Sequence, residues 1–456
     1  MAVKTQFMEQ YFISLRKNVS LDDFSTGASA ASFNNSGTIT TAGNKHVTDT
    51  AGIYGIAGQT TTKVFSVPVK NFPNFNSGQN IITNRKAIMS SVRTGGNGFE
   101  ILRGTSAPTT VYEFDVDTHT IIPFLWSTFH SGATEVGVDT AGASAYDFSV
   151  MEFNIPRLAS GTTPADAEAY ATLFKRMSWN SADWHVNSDA VCTNLSFTGN
   201  EGDPFSCSAE FNGRFMKTGF DSDSLNSAIV TAFPGHQPLM WHDAKITLED
   251  ENDADDAHYI IPATSFSLNV VPQVMVKRYN NRWAMRYIIN DWNITGSIQI
   301  PWGGIGASVD VVDKNYLLQR LVRDDAPTQI NIQPFELFVF WVADSDWDWE
   351  VGKAFKTGAG PYTTMDDRVL DFTVLTSFGE SATVTHGDGD FGIFMTVSPT
   401  DVTVGGEDET MITLNFDCVD QRSATAITNN ALSIKAIDAL NYSIDDVTGL
   451  TNVGAQ

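Results

Sequence analysis

At 456 residues the chain is too long for one ordinary core and, at about 150 residues per domain, suits two or three units. Hydrophobic residues make up 42%, which excludes a largely disordered chain. Charged residues are only 18%, with 53 Asp plus Glu against 28 Lys plus Arg and a net charge of -25, so the chain repels nucleic acid at long range and does not grip DNA by charge.

The N-terminal segment, MAVKTQFMEQYFISLRKNVS, has charged and polar groups inside every apolar run, so no signal peptide is expected. No run approaches about 18 uninterrupted apolar residues, so no membrane binding is expected. Residues 21–62 are rich in Ser, Thr, Gly, Ala and Asn. They predict, with what precedes them, a polar arm or linker over 1–62 that the fold does not need.

From Lys63 onward, two-residue alternation dominates. Strands are expected near residues 63–69 and 99–116, and a short buried helix over 121–129 (IIPFLWSTF) despite Pro123. Residues 163–177 read as the best helix: Thr163 caps, Pro164 suits the first turn, and Tyr170, Leu173, Phe174 and Met177 form one apolar stripe. A hairpin follows, 191–197 and 205–211 around TGNEGDP. In 265–271 (SFSLNVV) and 292–300 (WNITGSIQI), large apolar residues alternate with Ser, Asn, Thr and Gln, as in half-buried antiparallel strands. A second helix is expected over 313–322, a strand near Phe372, and a second hairpin from 393–397 and 411–418 joined by SPTDVTVGGEDET.

Strand pair, helix, strand pair thus occurs twice. The pattern predicts a mainly β chain of two related antiparallel sandwich- or barrel-like modules, 63–258 with a helical insertion at 163–177, and 259–456. One irregular large β-domain is the alternative.

Chemical motifs are sparse. There is no phosphate loop, zincin helix or nucleophile elbow, and Gly303, Gly304 and Gly306 read as a turn. Cys192, Cys207 and Cys418 match no zinc spacing and read as small buried hydrophobes. His236 and His242 flank Trp241 in a way that suits loop packing better than a metal pair. Asp344, Asp346, Asp348 and Glu350 in DSDWDWE alternate on one face, but lack the glycine and distal glutamate of a calcium loop. The acidic runs 249–256 (EDENDADD) and 386–390 read as solvated loops. No catalytic, cofactor-binding or metal residues are therefore assigned and no cofactor is expected. A sugar-active or sugar-binding β-protein is the alternative from another class, since ten tryptophans suit sugar stacking and two carboxylates suffice for glycoside hydrolysis.

Four phrases in order resemble the tail tube proteins of long-tailed bacterial and archaeal viruses: residues 109–132 (TTVYEFDVDTHTIIPFLWSTFHSG), 192–215, 265–300 and 408–420 (DETMITLNFDCVD). The resemblance covers roughly 63–136 and 191–420 and implies a non-enzymatic virion protein, made in the host cytoplasm. Such proteins self-assemble as rings that stack into a hollow tube, with other tail proteins as partners and viral DNA passing through without adhering. It further implies inter-subunit strand pairing into a closed β-barrel, and the length suits a homotrimeric pseudo-sixfold ring better than a hexamer. Another tail ring component, a terminator or baseplate protein, fits the same phrases. With four strands per module, about 24 strands at about 4.8 Å and a tilt near 45° give a backbone diameter of roughly 50 Å and an opening of roughly 40 Å. An acidic inner wall would then keep phosphates from sticking.

Overall fold

The computed structural model describes residues 9–14, 64–85, 99–129, 133–138, 149–156, 171–176, 184–220, 229–230, 238–249, 257–280, 284, 286–301, 334–341, 354–356, 391–405, 410–422 and 427–438. Among them the chain is mainly β: most strands join one large, almost wholly antiparallel sheet, with one α-helix.

Two long strands organise the sheet. Each changes neighbours part-way along. The N-terminal part of Trp184–Asn200 pairs with Ala171–Arg176 and with Phe215–Phe220, and its C-terminal part with Ser206–Asn212 and Ser265–Lys277. The N-terminal part of Phe391–Gly405 pairs with Phe335–Trp341 and Leu432–Asp438, and its C-terminal part with Met411–Cys418. A strand that continues past the end of one neighbour must find another for its backbone groups, because buried unpaired amides are costly.

In the helix Thr118–Phe129 the apolar residues 121–126 and Phe129 are buried, and the buried hydroxyls of Ser127 and Thr128 donate to the Phe124 carbonyl, each at 2.8 Å. Asp117 starts it: the Thr120 backbone N–H donates to Asp117 Oδ1 at 2.7 Å and the Thr120 hydroxyl to Oδ2 at 2.6 Å. The helix begins at Thr118, three residues before the expected 121–129, because Thr118, His119 and Thr120 add no large apolar residue to the pattern. Phe124 packs on Phe114 at 4.5 Å, and Phe129 stacks on Trp292 at 5.4 Å and 6°. A second aromatic cluster centres on Phe205, which meets Phe197, Trp241, Phe266, Trp341 and Phe391.

Three expectations are corrected. The helix expected over 163–177 is replaced, where described, by the strand Ala171–Arg176 between Gln10–Ser14 and Trp184–Asn200. Ala171, Thr172, Leu173 and Phe174 are all buried, so covering on both faces erased the alternation, and the spacing of Leu173 and Phe174 imitated a helix. The arm expected over 1–62 includes Gln10–Ser14, a strand with Tyr11, Phe12 and Ile13 buried. It pairs on one side with Ala171–Arg176 and on the other with Val64–Ser66. Finally, residues 398–405, expected as a hairpin connection, continue the strand Phe391–Gly405.

The strands expected near 63–69, 99–116, 191–211, 265–271, 292–300 and 411–418 are present as Val64–Ser66, Phe99–Ser106, Thr109–Asp115, Trp184–Asn200 with Ser206–Asn212, Ser265–Lys277, Arg286–Pro301 and Met411–Cys418. The helix expected over 313–322, the strand near Phe372, and residues 303–306, 344–350, 250–256 and 386–390 lie outside the described residues.

Where Trp184–Asn200 changes neighbours, Asp189 adopts φ 48° and Arg214 Nη1 donates to its Oδ2 at 2.9 Å, both side chains being almost wholly buried. Removing Arg214 takes its guanidinium away from a buried carboxylate. Arg214→Ala is expected to cost about 3–5 kcal/mol in urea unfolding, against at most about 1 kcal/mol for Lys70→Ala at the more exposed Lys70–Asp115 pair. Deleting residues 1–14 removes a strand paired on both sides. The truncated chain is expected to unfold at markedly lower denaturant, a result that circular dichroism will separate from a purely assembly-related defect.

Candidate assembly edges

The central part of the sheet is a run of eight neighbouring segments. In order they are residues 70–76, Thr109–Asp115, Ser206–Asn212, 191–200, 265–271, 293–301, Met411–Cys418 and 399–405. The first is extended but bent at Lys70–Asn71. Lys70 N–H donates to the Glu113 carbonyl at 2.7 Å, and Asn76 exchanges both backbone bonds with Thr109 at 3.2 Å.

One pairing pattern occurs twice along this run. Cys207 lies between Phe114 and Phe197, and Ala209 between Tyr112 and Leu195. Ile412 lies likewise between Ile300 and Val404, and Leu414 between Ile298 and Val402. The irregularities also correspond. In the first group an extra residue, Thr193, is accommodated opposite Glu210/Phe211, and in the second an extra Thr400 opposite Asn415/Phe416. Each group also carries a hairpin that slips at one place. Gln79↔Ser106 is followed by Ile81↔Arg103, and Pro272↔Trp292 by Val274↔Ile289: one residue is passed over on the first strand and two on the second. Before the slip, Asn76 faces Thr109 and Asn269 faces Thr295.

Alternation gives the run two unlike faces. One carries Phe114, Ala209, Phe197, Leu268, Ile298 and Leu414, all buried. The other is largely hydroxyl and amide: Ser208, Ser196, Ser267, Ser297, Thr413 and Asn415 are representative. Ser267 and Ser297 hydroxyls bond across the strands at 2.8 Å. Its acids are Glu113, Asp115, Glu210, Asp401 and Asp417, and Lys70 is tied to Asp115 at 2.6 Å and donates to the Ser206 hydroxyl at 3.0 Å.

The run ends on two unlike edges. Among the described residues, 401–405 have Met411–Cys418 on one side and no strand on the other, and 72–76 have Thr109–Asp115 on one side only. Val404 is 43% exposed, whereas Phe197, its counterpart inside the run, is fully buried.

The residues considered for chemistry do not converge. Cys192 and Cys207 are buried, Cys418 partly so, and none is in a disulfide. Burial pushes the Cys192 thiol up to about 12, and raises Cys207 and Cys418 as well, so all three stay protonated and unreactive near neutrality. His242 is exposed beside Asp243 on the turn Trp241–Asp243, and Trp241 points inward, while His236 lies outside the described residues. Among the described residues no group of three His, Cys, Asp or Glu is placed to hold a metal ion. No described helix is long and apolar enough to cross a membrane.

Sequence reasoning placed the strands but missed both edges. Alternation reports which face of a strand is buried, and carries nothing about whether its flank has a neighbour. No family model matches the chain, and neither does any curated protein.

Gly199 lies under the Trp241 ring, where an added Cβ would come within 2.2 Å of it. Gly199→Ala must push Trp241 off its stack with Phe266, 6.0 Å away. The expected cost is about 1–3 kcal/mol, read from urea unfolding followed by tryptophan fluorescence.

Proposed function

We propose that the chain is a structural virion protein that self-assembles into stacked rings forming the hollow tail tube of a long-tailed virus. One observation carries the reading: two four-strand groups with matching registers and matching bulges lie side by side in one open run that ends on unlike edges. Two related modules per chain account for that repetition. An open sheet invites addition of further strands, and ring closure is a way to remove its edges.

Unlike edges meet head to tail, and a head-to-tail contact makes a ring when its rotation closes. Two groups per chain make a homotrimer with six groups the natural count, closing the inter-subunit barrel. The polar face then becomes the inner wall. It is mostly neutral hydroxyl and amide with a few acids, and its base is held by an acid. Such a wall offers phosphates no cation cluster, and among the described residues of the run Phe72 is the one exposed ring, at its edge, so duplex DNA passes without being held. Other tail proteins would meet the ring stack at its ends.

This assignment needs no catalytic residue. Negative-stain microscopy of the purified protein tests it: rings or tubes about as wide as 24 tilted strands require (a backbone diameter of roughly 50 Å) are expected. Monodisperse monomers at all concentrations and salt conditions, particularly with glycan hydrolysis, would overturn it.

A further inference from the structure

The chain contains a template for its own contact with a second copy. Inside the run, residues 195–198 of the first group pair with 267–270 of the second: Leu195↔Val270, Ser196↔Asn269, Phe197↔Leu268 and Thr198↔Ser267. This is the one place where the last strand of one group meets the first strand of the next.

Each participant has a counterpart at an edge that, among the described residues, has no strand beside it. Phe197 faces Cys207 as Val404 faces Ile412, and Leu195 faces Ala209 as Val402 faces Leu414. Residues 402–405 therefore stand where 195–198 stand in the first group. On the other side, Asn76 faces Thr109 as Asn269 faces Thr295, and the slip at Gln79/Ile81 corresponds to that at Pro272/Val274. Residues 74–77 therefore stand where 267–270 stand. Two independent features, a pair and a bulge, set the same correspondence.

Burial shows what is missing. Phe197, Leu195 and Leu268 are fully buried in the internal junction, whereas Val404 is 43% exposed. Val402 and Phe75 are only partly covered. The two free edges lie seven strand spacings apart along the sheet, about 34 Å, so one cannot serve the other within a chain whose sheet remains open.

We infer that residues 402–405 of one copy pair antiparallel with residues 74–77 of a second copy in the register Val402↔Ser77, Thr403↔Asn76, Val404↔Phe75 and Gly405↔Asn74. The junction rests on the self-assembly reading and adds to it the partner strand, direction and register. It buries the Val404 and Phe75 side chains against each other on the apolar face. Thr403 and Asn76 meet on the polar face. Since Asn76 turns its own backbone N–H and C=O toward Thr109, Thr403 and Asn76 form a non-hydrogen-bonded pair. Side chains approach most closely in such pairs, with Cα atoms about 4.5 Å apart.

Thr403 and Asn76 are exposed in the single chain; cysteine at 76 gives up the bond that the Gly78 N–H donates to Asn76 Oδ1 at 3.0 Å, so the melting temperature of that variant is measured beside the cross-link. Full-length protein carrying Asn76→Cys and Thr403→Cys is mildly oxidised after assembly and run on a non-reducing gel. Covalent dimers and a closed covalent ring species that reducing agent dissolves are expected. Each single variant should stay monomeric on the gel, and a mixture of the two single variants should give dimers alone. A third variant, Asn74→Cys with Thr403→Cys, tests a two-residue slip and should cross-link much less.

Rings or tubes seen by microscopy without cross-linking in the Asn76/Thr403 variant, or with stronger cross-linking through Asn74, would overturn the register while leaving the tube reading intact. A disulfide formed within one monomer would show that another fold of the same chain covers the edge, and would overturn the junction. Absence of any oligomer in the wild-type protein would remove both. Unchanged melting temperatures of the cysteine variants exclude misfolding as the cause of a negative result.

Discussion

Every strand in this sheet must find a neighbour on both sides or leave a row of backbone donors and acceptors open, and that requirement shapes the molecule more than any single contact. Trp184–Asn200 and Phe391–Gly405 meet it by serving two sets of neighbours in succession. Thr193 and Thr400 sit where the ladders shift, which lets one continuous strand bend and twist between its two settings. In the first strand the change-over is fixed by the buried Asp189–Arg214 ion pair. A buried pair of this kind contributes little net stability compared with apolar packing, but it strongly disfavours any arrangement that separates the charges.

The same alternation that anchors the sheet on its core produces a second face with little for a ligand to hold. Short Ser, Thr and Asn side chains cover it, and the Ser267 and Ser297 hydroxyls bond to each other across strands. The net charge of the whole chain is -25, yet few of its acids stand on this face. Non-adhesion to a polyanion therefore needs no dense acidic lining under the proposed reading. It follows from the scarcity of cations on this face, where Lys70 is held by Asp115.

Legibility from sequence varied with physical cause. Ser265–Lys277 and Met411–Cys418 are covered by the core on one face, so Phe266, Leu268 and Val270, or Ile412, Leu414 and Phe416, declare themselves by alternation. Ala171–Arg176 is covered on both faces and lost that signature, which made a helix of it. Gln10–Ser14 is five residues long and borders a polar stretch, so three consecutive buried residues were absorbed into an arm. Residues 401 and 403–405 are exposed and run into the pair Gly405–Gly406, which gives a strand the appearance of a connection.

The amino-acid order by itself determined the β class, the burial of residues 121–129, the hairpin around TGNEGDP and the absence of a recognisable catalytic motif, because each depends on neighbours within a few positions. Only the tertiary structure decided which strands lie side by side, that the slips in the two groups correspond, and that among the described residues no second strand flanks 74–76 or 401–405. Those facts depend on segments hundreds of residues apart being held at one strand spacing, and local periodicity contains no term for that distance.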